Sequence, residues 1–230
     1  MALRSRPDFL VRVLYLVIAI PVSTVLAEAT TSDRTYQAMG IESQKVLTGS
    51  VLTSRVMPKG GKQIVAMVTY FTGKRDEAQA INVRLEIFHQ QGEDLSSFYA
   101  RDFGKENGGY VARGELELVD LDGDGANEII VGFDNLKDPL VQERKGEIIL
   151  RDKGSFRTAW SGILEYDATR AARKIPVERR DRFNREVDVI GTLRTQGITL
   201  FMKKTVIAVA GERLSEPKVV TETFPLRSDH

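Results

Sequence analysis

From residue 46 onward the chain alternates apolar and polar positions with a period of two. Residues 63–71 (QIVAMVTYF), 82–89 (NVRLEIFH), 115–119, 128–133, 146–150, 186–193, 198–203 and 205–210 are rich in Val, Ile, Leu, Phe and Thr, with Gly, Asp, Asn or Pro between them. Branched and aromatic side chains suit a pleated, half-buried surface, so this spacing predicts about ten short strands. Only residues 75–80 and 167–174 look even weakly helical, and neither carries a full 3.6-residue apolar stripe. The expected class is mainly β.

The strand, Gly-containing turn and second strand recur at 83–103, 147–164 and 206–226, with turn glycines at Gly92, Gly154 and Gly211. Their spacing is compatible with propeller blades. Two arrangements are therefore expected: a propeller-like fold, incomplete or of about three blades, or a small antiparallel sandwich. A polar, Arg-rich connection interrupts the pattern at 168–186 and is expected as a solvated loop.

The first 27 residues differ from the rest. Arg4, Arg6 and Arg12 precede the apolar run 13–20, Pro21 interrupts it, and Val25-Leu26-Ala27 places small residues before a cleavage point. This is the pattern of a secretory signal peptide over 1–27. The stretch 13–27 is shorter than the roughly 20 apolar residues a membrane helix needs, so no membrane span is expected after cleavage. Residues 28–45, Thr- and Ser-rich, read as a flexible leader, and 46–230 as a single β domain.

Charge and composition narrow the chemistry. The full chain holds 33 Lys and Arg against 32 Asp and Glu, and removing 1–27 leaves 30 against 31, so no global field favours nucleic acid. There is no Cys, which excludes thiol nucleophiles, zinc fingers, iron–sulfur ligation and disulfides. Only His89 and His230 are available as imidazoles, and no Gly-x-Ser-x-Gly motif accompanies them. The absence of an Asn-x-Ser/Thr site favours a periplasmic or secreted bacterial setting.

One segment carries chemistry. Residues 114–133 read GELELVDLDGDGANEIIVGF, placing Asp120, Asp122 and Asp124 at loop positions 1, 3 and 5, Ala126 at 7 and Glu128 at 9. In a tight loop alternate side chains converge, Gly123 and Gly125 take the backbone conformations a Cβ resists, and the Ala126 carbonyl supplies another oxygen. Four carboxylates within about 4 to 5 Å repel by roughly 1 to 4 kcal/mol per pair, which a divalent cation turns into ligation. A set of hard oxygens without His or Cys selects Ca2+. Position 12 is Val131 instead of the Glu of an EF-hand, and the flanks alternate as strands.

This loop resembles the calcium loop of the FG-GAP repeat, also seen in VCBS repeats and in the propeller of integrin α subunits. Phe103-Gly104 stands where the family's Phe-Gly is sought, 16 residues before Asp120, and Gly132-Phe133-Asp134 replaces its Gly-Ala-Pro. The resemblance implies recognition of a protein or glycan partner through loops on a rigid scaffold. The expected function is an exported calcium-binding β module, structural or binding and not an enzyme, with the ion stabilising a hairpin. The alternative is a secreted metal-dependent hydrolase of phosphate esters or polysaccharide. Trp160, Phe156, Phe98, Tyr99 and Phe224 are expected in the core, and Glu115 and Glu117 on the wet face of a strand.

Overall fold

The computed structural model describes residues 31–57, 60–73, 80–121, 123–152, 154–168, 182–193, 197–207, 209–210 and 213–226. The signal segment 1–27, Asp122, most of the Arg-rich connection, the weakly helical stretch 75–79 and His230 lie outside them. Thirteen strands are found among the described residues, all paired antiparallel. The mainly β expectation holds.

Strands β1 (Val46–Ser54), β2 (Gln63–Phe71), β3 (Ile81–Gln91) and β4 (Asp94–Asp102) form a four-stranded meander. A short helix α2 (Phe103–Glu106), capped by the Asp102 carboxylate accepting from the Lys105 N–H, turns the chain into the second sheet. There β5 (Val111–Val119), β6 (Glu128–Asn135), β7 (Gln142–Asp152), β8 (Ser155–Asp167), β9 (Arg182–Leu193) and β10 (Gly197–Ile207) follow one another, and β13 (Lys218–Leu226) pairs with β10. The hairpin β11 (Val209–Ala210) and β12 (Arg213–Leu214) separates β10 from β13. The turn glycines Gly92 and Gly154 have positive φ, as their hairpins require.

The two sheets face each other. Val65, Met67, Val83, Leu85 and Ile87 of the first pack in one buried cluster with Ile129, Val131, Phe133 and Ile149 of the second. Of the two arrangements left open by the sequence, this is the sandwich-like one. The hairpins at 147–164 and 206–226 belong to one continuous sheet.

Strand β2 is buried on both faces, which explains its unbroken apolar run. Its odd positions face the second sheet, while Ile64, Ala66 and Val68 pack under Met39 and Ile41. Those two residues follow a helix, α1, over 31–38. Within the segment 28–45 read as a leader, residues 31–45 pack on the first sheet: Thr35, Met39 and Ile41 are buried, Tyr36 lies against Gly49, and the Arg84 guanidinium donates to the Met39 carbonyl at 3.2 Å. The physical reason is that β2 needs a cover on its outer face, and this segment supplies it.

The outer face of the second sheet carries another apolar cluster. Leu121, Ile148, Leu150, Trp160 and Met202 pack there with Phe224 of β13. Phe156, Phe98 and Tyr99 belong to the inter-sheet core, so all five aromatic residues expected inside are packed there or here.

Candidate functional site

The acidic residues occupy the tip of the β5–β6 hairpin. Gly123 and Gly125 have φ of 70° and 84°, the left-handed conformation that glycine adopts without strain. That path lets the backbone fold around the first carboxylate. Asp120 accepts from the Gly123 N–H at 2.7 Å through Oδ1 and from the Gly125 N–H at 3.0 Å through Oδ2. Asp124 Oδ1 accepts from the Ala126 N–H at 2.7 Å, and Glu128 Oε2 from the Leu121 N–H at 2.6 Å. Each of these carboxylates is thus oriented by the loop's own amides, the charge-assisted bonds that fix a loop most firmly.

Burial decides what the tip rests on. Leu121, Ala126 and Glu128 are buried, whereas Asp120 and Asp124 stand toward solvent. Leu121 joins the outer apolar cluster. On the other side, Asn127 N–H donates to the Arg55 carbonyl at 2.7 Å and Asn127 Nδ2 to Ser54 Oγ at 2.6 Å. The loop therefore links the second sheet to the end of β1 in the first.

The sequence reading brought Asp120, Asp122, Asp124, Ala126 and Glu128 to one point. Among the described residues, no group of three or more acidic or imidazole side chains is gathered as a metal would need, and Asp122 lies outside those residues. Arg151 of β7 places its guanidinium 3.6 Å from Asp124 Oδ2, an opposing cation the loop motif does not disclose. The donor set fits a hard divalent ion by its chemistry, being carboxylates and a carbonyl in a glycine-rich turn.

His89 stacks on Phe98 with ring centroids 4.1 Å apart, a packing role. Glu115 and Glu117 are exposed on β5, and Glu115 pairs with Arg144. No helix among the described residues is long and apolar enough to cross a membrane. No family model, no curated protein and no solved structure matches this chain.

Proposed function

We propose that the chain is an exported β module whose acidic hairpin tip binds calcium, and that it serves binding or structural roles instead of catalysis. The observation that carries this reading is the tip itself: Asp120, Asp124 and Glu128 held by loop amides around two positive-φ glycines, with Asn127 tying the same turn to β1. An ion coordinated there stabilises more than one hairpin, because the tethered turn is part of the contact between the sheets.

Extracellular calcium modules have Kd values of about 0.1 to 1 mM. At roughly 100 times Kd, ligation adds about 2.7 kcal/mol to stability. For a domain of this size that is a rise in Tm of about 5 to 10 °C. Melting curves in calcium at roughly 100 times the measured Kd, against chelator and against magnesium, are expected to show that rise with calcium and a much smaller one with magnesium. No calcium-dependent shift would overturn the metal reading. N-terminal sequencing of the exported chain, expected to begin at Glu28, tests the signal peptide.

Arg151 gives a finer test. Its partly exposed pair with Asp124 is of the kind worth about 0.2 to 1 kcal/mol. Because the guanidinium and the ion compete for one carboxylate, Arg151→Gln is expected to tighten calcium about two-fold by calorimetry. Weaker binding would mean that Arg151 supports the site instead of opposing it.

A further inference from the structure

The other end of the β5–β6 hairpin holds a second candidate site. Asp134, Arg144 and Glu165 pair in succession across β6, β7 and β8, so they stand in one row on the same face of the sheet. They border a groove of ≈ 510 Å³ that Arg113, Tyr166 and Arg182 also line. A neighbouring hollow of ≈ 380 Å³ shares Asn135, Glu143 and Tyr166 with it, so the two form one trough of the size that small ligands occupy.

Among the described residues, the trough presents both charges. Arg113 reaches Asp134 at 3.3 Å, Arg144 reaches Asp134 at 3.6 Å and also pairs with Glu115, and Arg182 lies 3.7 Å from Asp167. Burial holds the Asp134 carboxyl above its ordinary range although both guanidiniums pull it down. Arg144 is buried and lies against Gly132, where a Cβ would come within 2.9 Å of its guanidinium. The Glu165 side chain, by contrast, is exposed, and among the described residues its carboxylate makes no side-chain hydrogen bond or ion pair, while its backbone stays in the ladder of β7, β8 and β9.

Such a surface discriminates by charge. A ligand of net charge is attracted by one set of groups and repelled by the other, whereas a hydroxyl both donates and accepts and can satisfy guanidinium and carboxylate together. Leu136, which lines the groove and is 49% exposed, adds apolar surface for ring C–H groups, and its N–H donates to the carbonyl of Tyr110, itself 53% exposed.

Backbone strain marks one residue of the trough. Arg113 has φ of 42°, the one non-glycine residue with positive φ among the described residues. It sits in a bulge between Ala112 and Glu115, followed by Gly114, which packs against Val83 and Met67 and donates its N–H to Thr69 Oγ1 at 2.8 Å. Glycine would suit position 113 better, so packing alone does not account for an arginine there.

We propose that this trough binds a neutral oligosaccharide, with the Arg113 guanidinium and the Glu165 carboxylate as its exposed hydrogen-bonding pair. The inference rests on the binding-module reading but not on calcium. The test uses the purified full chain on an array of neutral, uronic-acid and amino-sugar oligosaccharides, then calorimetry with the strongest neutral binder. Arg113→Gly relieves the strained φ and so preserves the fold, and Glu165→Gln changes an exposed group. Each is expected to weaken neutral-sugar binding at least ten-fold, with Tm unchanged or, for Arg113→Gly, raised. Absence of any neutral binder, capture of charged oligosaccharides alone, or binding untouched by both variants would overturn the proposal. Calcium melting curves on the same samples report the ion site separately, so failure of one reading is distinguishable from failure of the other.

Discussion

Phe103→Ala is expected to lower the unfolding free energy by about 3 to 5 kcal/mol, the range for emptying a buried aromatic site. Phe103 is fully buried at the first position of α2, the turn that carries the chain from one sheet to the other. Its ring centroid lies 4.8 Å from that of Phe133 on β6, and the Arg101 guanidinium sits 5.2 Å from the same ring. Two hydrogen-bonded sheets flank the position, and neither can shift to fill the hole without breaking its own register, so the cavity term is felt in full. Against a typical total of about 5 to 15 kcal/mol, this is a large share of the whole stability. Urea denaturation should show the midpoint falling with an unchanged slope. A loss under about 1 kcal/mol would mean that the sheets close over the vacancy and that Phe103 does not hold them apart.

The adjoining Gly104 shows why the dipeptide is fixed by packing alone. A Cβ at Gly104 would come within 1.9 Å of Asn82 Oδ1, and that oxygen already accepts from the Val83 N–H at 2.7 Å. Asn82 is itself buried, with its Nδ2 donating to the Tyr70 hydroxyl, so it has little room to yield. Phenylalanine to fill the core and glycine to admit Asn82 are thus local demands of the α2 turn.

The strands were legible where one face is buried. β3, β5 and β6 show apolar alternation because one face of each enters the core between the sheets, through Val83, Leu85 and Ile87, through Leu116 and Leu118, and through Ile129, Val131 and Phe133, and β2 reads as a continuous run because α1 and the second sheet cover both its faces. Alternation says nothing of which sheet a strand joins, so the change of sheet at α2 was hidden. Helix α1 was hidden for another reason. Its segment is polar, with Tyr36 as its only large apolar side chain before Met39 and Ile41, so the stripe is too short to register as helical periodicity. At the acidic tip, the glycine positions were legible because positive φ has a local sequence signature. The tether from Asn127 to β1 and the approach of Arg151 were not, since both depend on the register between elements far apart in the chain. Arg113 carries the same lesson inverted: an arginine in a left-handed bulge breaks the local rule that would have placed glycine there.

Polar groups inside the sandwich lead to the second large effect, expected for Arg101→Met. Arg101 lies on β4 opposite Leu85, so its side chain points toward the second sheet. It donates to both oxygens of Glu106 at 2.7 and 2.5 Å and to Thr158 Oγ1 at 2.8 Å, and it lies 3.2 Å from Glu147 Oε2. Glu147, on β7, is largely buried, its side chain 11% exposed, and it also accepts from the Thr158 hydroxyl at 3.0 Å. Removing the guanidinium leaves Glu106 free to turn to water but leaves Glu147 charged between the sheets. Breaking a buried pair in this way costs about 3 to 5 kcal/mol, and the partial exposure of Arg101 places the expected value near the lower end. Replacing both partners removes the stranded charge, so Arg101→Met with Glu147→Met is expected to recover most of the loss, as apolar substitutes for buried pairs commonly do. A double-mutant cycle by urea denaturation measures this directly. If the double variant loses as much as the two single variants combined, the cost lies in packing around each residue, and the ion pair between β4 and β7 is not what couples the sheets.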